Sequence, residues 1–384
     1  MRIGWKSAAL LSAALALCVI PTQAPAQQTI TLTPAGSYPE SFGYMNWVRE
    51  LPDGRVMVAD ALGQVLVAVD LASGKADTLG RVGAGPKEYR QPDAVYALPG
   101  DSTLLLDLGN ARLTVIAPDG TFGETYPITQ GDLQGMTIIL PRAVDRAGNL
   151  YYLQEMGRLA GGSRDSATVT RFDRVSGEST PVGRVKLPEL VESGGPNARM
   201  IGMKPLSPRD DWAVAPDGRV AFVRSLDYSV QWVGPGGRVV TGPANPYKPV
   251  RVGEAEREEW QSDQARAGVS VSIEATSDGT RNMSFSRGGG GRRPPPAESA
   301  DWPDVAPAFR YGRAIVSPAG DLWVERYVPA GQQPVIDVFD GSGKKTGEVL
   351  FPVGCRVVGF GRGTVYLART DQDDLQWLER YRIP

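Results

Sequence analysis

Four arginines stand where apolar, strand-like stretches of the chain begin, so their guanidinium groups could converge at one end of the fold. Guanidinium groups form paired hydrogen bonds with carboxylate, phosphate or sulfate groups, and a ring of them would bind an anion. The candidate ligand-binding residues at these strand starts are Asn46, Asp93, Arg142, Arg209, Asp210, Arg310, Tyr311 and Arg356. The alternative is that the arginines pair with aspartates between neighbouring units and only hold the fold together. Strand register decides between the two, because it sets which side chains point inward.

The composition excludes several kinds of catalytic site. The chain of 384 residues contains no histidine, which removes Ser-His-Asp and Cys-His nucleophiles, histidine bases and histidine-ligated zinc, iron or copper. The acidic stretch 371–374 lacks the glycine and the distal glutamate of an EF-hand loop. We therefore predict no catalytic residue, no metal and no cofactor, with a Ca²⁺ ion held by carboxylate and amide oxygens as the alternative.

The first 26 residues have the pattern of a signal peptide. Arg2 and Lys6 precede a small apolar run, Ala8–Ile20, and Ala24-Pro25-Ala26 matches the small-x-small site of a signal peptidase. The run is 13 residues long, whereas a membrane-spanning helix needs about 20. A lipid anchor on Cys18 is the less favoured alternative, since the large Leu17 precedes it. We predict cleavage after Ala26 and a periplasmic or secreted protein without an integral membrane segment.

The rest of the chain repeats one pattern, a glycine turn followed by an alternating apolar strand. The turn glycines are Gly54, Gly100, Gly148, Gly218, Gly320 and Gly363. Their spacings are 46, 48, 70, 102 and 43 residues, and about 45 residues is the length of one four-stranded propeller blade. Residues 27–384 are therefore predicted to form an all-β, six-bladed β-propeller.

Closure of the ring can also be predicted. The last repeat offers three strands, Arg356–Phe360, Thr364–Thr370 and Leu375–Ile383, and lacks a fourth. The segment Gln28–Thr33 is alternating and β-branched and has no other blade to join. We predict that it completes the last blade and so removes an exposed sheet edge.

One repeat carries a family resemblance. The stretch Gly83-Ala-Gly-Pro-Lys-Glu-Tyr-Arg-Gln-Pro92, followed by Leu106-Asp107, Asn110-Ala-Arg112 and Asp119-Gly120, resembles the NHL repeat. The whole chain resembles bacterial exported six-bladed NHL-like propellers, and the resemblance implies mainly binding functions. Some six-bladed relatives are enzymes. Their histidine-ligated zinc type cannot be built here, whereas the calcium lactonase type uses only Asp, Asn and Glu oxygens.

The extra residues between the fourth and fifth repeats, 244–311, form an insertion. Val252–Gly268 is predicted to be an amphipathic helix that ends at Gly268. Arg287–Pro296 is rich in Gly, Arg and Pro, which is typical of a flexible cationic tract. We expect the insertion on the loop face, beside one mouth of the central channel, as a mobile lid, a docking arm or a segment without a role.

Taken together, these features predict an exported, non-catalytic propeller that binds at the loop-rich channel mouth. The predicted partner is an anionic small molecule, an acidic peptide or glycan, or an envelope protein. The net charge of −2 gives no basic surface for nucleic acid. The alternatives are a Ca²⁺-dependent lactonase or esterase with its metal in the channel, and a purely structural envelope scaffold.

Overall fold

The computed structural model describes residues 1, 28–131, 137–154, 165–193, 200–275, 281–288 and 301–384. The predicted signal peptide after Met1 and the tract beyond Gly288 lie outside these ranges. The described part is all-β, apart from one α-helix and a 3-10 turn at Pro99–Asp101. No helix in it combines the length and the apolar character needed to cross a lipid bilayer.

Most strands belong to four-stranded antiparallel meanders, in which each strand pairs with the next one along the chain. The first meander comprises β3 (Met45–Glu50), β4 (Val56–Asp60), β5 (Val65–Asp70) and β6 (Lys75–Thr78). The second comprises β9 (Pro92–Ala97), β10 (Thr103–Asp107), β11 (Arg112–Ile116) and β12 (Phe122–Pro127). The third comprises β15 (Ala143–Val144), β16 (Leu150–Gln154), β17 (Ser166–Phe172) and β18 (Ser179–Lys186).

The later meanders follow the same order. The fourth comprises β21 (Asp211–Val214), β22 (Val220–Val223), β23 (Val230–Val233) and β24 (Val239–Thr241). The fifth comprises β27 (Ile315–Val316), β28 (Leu322–Arg326), β29 (Val335–Phe339) and β30 (Lys345–Leu350). The last part of the chain forms β31 (Cys355–Gly361), β32 (Thr364–Thr370) and β33 (Gln376–Arg382). Short pairs lie in the links: β7 (Arg81–Val82) with β8 (Glu88–Tyr89), β13 (Thr129–Gln130) with β14 (Thr137–Ile138), and β19 (Leu190–Ser193) with β20 (Met200–Met203).

The turn glycines of the sequence repeat join the first strand of each unit to the second. Their φ angles are all positive, from 68° at Gly363 to 95° at Gly320. A side chain beyond hydrogen is disfavoured in this left-handed region, so glycine is the residue that lets the chain reverse there. The recurring glycine in the sequence therefore marks the hairpin at the start of each unit.

An N-terminal strand does complete the last sheet, but its residues differ from those predicted. The strand is β2 (Thr33–Phe42), which pairs antiparallel with β33. The predicted segment instead forms β1 (Gln28–Ile30), which adds a parallel strand to β30 in the preceding sheet. Thr33–Phe42 is an irregular strand, because it contains Pro34 and Pro39 and its pairing with β33 shifts register. The alternation of apolar and polar residues that indicates a strand is therefore absent from its sequence.

The hydrophobic core is divided among the interfaces between successive units. Within the described residues, each cluster of buried apolar side chains joins one meander to the next, as where Tyr151 of the third packs with Trp212 of the fourth. Another cluster contains Val58 of the first meander and Val358 of the last sheet. The contacts therefore run around a closed, propeller-like arrangement whose first strands lie together at its centre.

Between β24 and β27 the chain forms α1 (Glu254–Ala267) and the hairpin β25 (Val269–Ala275) with β26 (Arg281–Arg287). The predicted helix is present, but it is not amphipathic. Its sequence is polar on all sides, and no described helix residue is fully buried. A polar helix can be held on a surface by ion pairs and hydrogen bonds, because it offers no apolar stripe for packing.

Candidate functional site

The candidate site is built around Tyr44, which lies directly before β3. Asp60, at the end of β4, holds it there by accepting hydrogen bonds from the backbone N–H groups of Gly43 and Tyr44 at 2.7 and 2.9 Å. The Tyr44 side chain is buried. The guanidinium carbons of Arg287 and Arg356 each lie 5.0 Å from the centre of its ring. An aromatic face attracts both cations and so allows two like charges to share a small space.

Arg356, in β31, is a second buried cation beside Tyr44, and it differs from Arg287 in its partners. It is 8% exposed, and Nη2 donates to the Met45 carbonyl and, at 3.1 Å, to Oε1 of Gln376. In the described chain no Asp or Glu oxygen forms an ion pair with it. Burial lowers its pKa to about 10, and the charges of Arg313 and Arg287 add to that effect.

Arg287 reaches the site from the end of β26. Its guanidinium binds both oxygens of Asp93, a fully buried carboxylate of β9 that also accepts from Asn46 at 2.9 Å. Gln91 fixes the backbone of Arg287 through hydrogen bonds at 2.8 and 3.1 Å. Burial disfavours the charged form of Arg287, but Asp93 outweighs it and holds the pKa of Arg287 above its ordinary value. Arg287 was predicted to begin a flexible tract, and it is instead an anchored part of the site.

Arg310 and Arg313, which precede β27, meet α1. Arg310 lies 2.5 Å from Glu259 and 3.4 Å from Asp263 of the helix, and 3.3 Å from Glu325 of β28. Arg313 lies 3.8 Å from both Asp263 and Glu325. Burial opposes their charge, yet these carboxylates raise the pKa of each arginine. Asp263 also acts on Arg356, where its negative charge partly offsets the lowering of the pKa.

Arg142 belongs to a separate part of the same end. It forms an ion pair of 2.5 Å with Asp211, the fully buried first residue of β21. Its guanidinium also lies over Trp212, at 5.1 Å, and over Tyr311, at 5.8 Å. Arg209 stacks on the same Tyr311 ring at 3.5 Å. Here arginine–aspartate pairing joins neighbouring units, as in the alternative interpretation of the sequence.

The structure thus brings together only some of the residues proposed from the sequence. Asn46, Asp93 and Arg356 gather around Tyr44, and Arg310 lies beside them under α1. Asp210 is directed elsewhere, since its oxygens accept from the backbone N–H groups of residues 186 and 225 and from the side chains of Arg224 and Ser225. We call Arg287, Arg313 and Arg356 around Tyr44 the arginine cluster.

The sequence reasoning missed Tyr44, Arg287 and Arg313. Tyr44 and Arg313 stand just before first strands, at positions equivalent to those chosen in other repeats, so the signal for them was present. Arg287 ends a hairpin whose alternation of Val269, Val271 and Ile273 with serines is the period of a strand. Its tertiary partner Asp93 lies 194 residues away, and no local pattern connects the two.

The carboxylates here do not suit a metal ion. Asp93, Asp211 and Glu325 each lie against a guanidinium group, and a cation would have to displace that partner. Across the described part of the chain, no three Asp, Glu or Cys side chains are grouped as ligands for a metal ion. Calcium takes six to eight oxygen ligands, and at this site it would compete with guanidinium groups for each of these carboxylates. The guanidinium groups of this site are suited instead to bind a negatively charged group.

No family model matches the sequence, and no curated protein matches it. Several solved structures share its general arrangement. A calcium-binding protein, regucalcin, from Agrobacterium tumefaciens is 13% identical, with 92% of this chain and 96% of that chain covered and a TM-score of 0.43. A gluconolactonase from Xanthomonas campestris is 10% identical, covering 92% and 94%, with a TM-score of 0.40. A member of the duf4221 family from Bacteroides vulgatus is 10% identical, covering 93% and 97%, with a TM-score of 0.45. Scores this low transfer no activity, ligand or residue role to this chain.

Proposed function

We propose that this protein binds a small anionic molecule at the arginine cluster and does not transform it. The observation that supports this is the contrast among the arginines of the site. Arg287 and Arg313 lie beside carboxylates, which raise their pKa values, whereas Arg356 has no ion-pair partner among the described residues and burial lowers its pKa. A buried cation without a counter-ion is costly, and an anion from solution would supply the missing charge.

The geometry favours a small ligand over a peptide or a protein. Tyr44 and Arg356 are both buried, and α1 covers the neighbouring Arg310 and Arg313. A carboxylate or phosphate group can accept two hydrogen bonds from one guanidinium. Each charge-assisted hydrogen bond is worth about 1.5–3 kcal/mol. One such group held by Arg356 and Arg313 would therefore account for a specific site.

The first test replaces Arg356 with Gln, which keeps a hydrogen-bond donor and removes the charge. Calorimetric titration of the wild-type protein should detect binding of citrate or of inorganic phosphate. Arg356→Gln should weaken its binding by tenfold to a hundredfold, because about 1.4–2.8 kcal/mol of charge-assisted interaction is lost.

The matched control is Arg238→Gln, which removes the same charge from an exposed residue between β23 and β24. It should bind as the wild-type protein does. Equal binding by all three proteins would show that Arg356 is a strut between the last and first units. Failure of the wild-type protein to bind citrate, phosphate, sulfate or an acidic sugar would remove the proposed function itself.

A hydrolase that uses a metal ion in the channel is not supported by these residues. Asp93, Asp211 and Glu325, buried carboxylates at this end, are already paired with arginines, and histidine is absent from the chain. We also propose that the four-stranded units are the six blades of one closed propeller, with β2 in the last blade. The NHL-like motif at 83–120 supports this assignment at the level of the repeat.

We further propose that the protein is exported after cleavage behind Ala26. The support is the charged start, the short apolar run and the Ala24-Pro25-Ala26 site in the sequence. Intact-mass measurement of the protein recovered from a bacterial periplasm or medium should give a chain that begins at Gln27. A mass that includes residues 1–26, or one that adds acyl chains to Cys18, would contradict the proposal.

A further inference from the structure

The helix α1 meets Arg310 and Arg313, beside the arginine cluster, through its acidic side chains. Glu259 lies 2.5 Å from Arg310, and Asp263 lies 3.4 Å from Arg310 and 3.8 Å from Arg313. Glu259 and Asp263 are spaced by four residues, so their carboxylates lie one above the other on the face that meets the arginines. This face presents two acidic groups to Arg310 and Arg313, and the charge of Asp263 also reaches Arg356.

The two ends of the helix are held to the framework by equally polar contacts. Near its start, Glu256 accepts a hydrogen bond from the backbone N–H of Ala330 at 3.1 Å. Near its end, Arg266 forms an ion pair with Asp374, between β32 and β33. Both Glu259 and Asp263 are about one-third exposed, and ion pairs that water can reach are weak. No described residue of the helix is fully buried, and its aromatic contact, Trp260 with Trp302 at 5.4 Å, lies outside the core clusters between units. Displacement of the helix therefore breaks ion pairs, a hydrogen bond and one aromatic pair but no buried core between units.

The framework keeps its arginines in place without the helix. Glu325 of β28 lies 3.3 Å from Arg310 and 3.8 Å from Arg313, so both retain a carboxylate partner when α1 moves. What they lose are the second partners, Glu259 and Asp263. An uncovered site would thus combine three guanidinium groups, of Arg310, Arg313 and Arg356, with one carboxylate. Such a site has an excess of positive charge and open positions for hydrogen bonds.

We propose that α1 is a displaceable lid whose Glu259 and Asp263 occupy the positions of ligand carboxylates, and that the ligand is a molecule with two or more carboxylate groups. This inference rests on the proposed function and specifies its ligand class and its control. The lid carboxylates compete with the ligand for Arg310 and Arg313. Ligand binding therefore opens the lid, and weakening the lid strengthens binding.

The experiment compares two double variants of the same helix in the full-length mature protein. Glu259→Gln with Asp263→Asn removes the two carboxylates that face the arginines. Glu254→Gln with Glu258→Gln removes two exposed carboxylates and changes the net charge of the helix by the same amount. Hydrogen exchange of residues 254–267 reports lid opening, and calorimetry reports binding of citrate, acetate and inorganic phosphate.

Without ligand, exchange in α1 should be at least tenfold faster in the Glu259/Asp263 variant than in the wild-type protein, and unchanged in the Glu254/Glu258 variant. With citrate, exchange in α1 of the wild-type protein should rise. The Glu259/Asp263 variant should bind citrate about tenfold more tightly than the wild-type protein and the control variant do. Acetate, which has a single carboxylate, should bind at least tenfold more weakly than citrate.

The outcomes separate this inference from the function on which it rests. Citrate binding that leaves α1 exchange unchanged or slower would overturn the lid and leave anion binding standing. Phosphate binding as tight as citrate binding would overturn the carboxylate assignment. Equal exchange in both double variants would show that these ion pairs do not hold the helix. Absence of citrate, acetate and phosphate binding by the wild-type protein would remove both proposals.

Discussion

A chain that begins at Gly43 should be destabilised by more than about 5 kcal/mol relative to one that begins at Gln27, or should fail to accumulate. The shorter chain lacks β2, which supplies the outer strand of the last sheet and buries Tyr38 and Phe42 against the first and last units. Burial of each such side chain is worth about 1.5–3 kcal/mol. The lost strand also leaves the edge of β33 without hydrogen-bond partners.

The matched control begins at Thr33 and lacks only β1. That strand forms three parallel pairs with β30, and Ile30 and Leu32 pack only partly buried against the cluster between the fifth unit and the last. We expect a loss of about 1–3 kcal/mol for this shorter truncation. Urea unfolding followed by tryptophan fluorescence measures both. If the two truncations cost the same, ring closure does not depend on β2.

Substitution of Asp211 by Ala should cost about 3–5 kcal/mol, which is the range for a buried charge pair that loses one partner. Asp211 is fully buried and connects three units of the ring. Its oxygens accept from Arg142 of the third unit and from the backbone N–H groups of Gly312 and Ala314, before the fifth. The substitution would leave the Arg142 charge and three backbone donors, those of Trp212, Gly312 and Ala314, without these acceptors.

Two further substitutions separate this explanation from a general effect of charge. Asp211→Asn retains one acceptor oxygen and should lose less stability than Asp211→Ala. Asp217→Ala removes an exposed partner of Arg219, 2.8 Å away, and should cost less than about 1 kcal/mol, as exposed pairs do. Equal losses for Asp211→Ala and Asp217→Ala in urea unfolding would contradict the role given to Asp211.

The arginines show how much of the site could be predicted from the sequence alone. Their positions before apolar strands predicted that they would lie at one end of the fold, and Arg142, Arg310 and Arg356 do. Their roles differ, because each role depends on a partner distant in the chain. Asp211 neutralises Arg142 from 69 residues away. Arg356 lies between Gln376 and the Met45 carbonyl, and within the described ranges it has no ion-paired carboxylate.

The insertion likewise contains elements that local sequence predicts and tertiary contacts that it does not. Its helix was visible because helical residues and a terminal glycine are local signals. Its position over Arg310 and Arg313 could not be predicted, because the charges on a helix do not indicate which other surface the helix will contact. The hairpin that carries Arg287 to Asp93 was also missed, as its second strand stands next to a glycine- and proline-rich tract typical of an unstructured segment.

The sequence by itself determined the all-β class, the repeated unit and the place of its turns, because positive-φ glycines and alternating apolar residues are imposed by the backbone of each hairpin. It also shows that the chain contains no histidine side chain. Only the tertiary structure decided which N-terminal strand completes the last sheet, which arginines are neutralised and what covers Arg356. These outcomes depend on contacts between residues tens to hundreds of positions apart, and such contacts are set by how the units pack around the ring rather than by any local pattern.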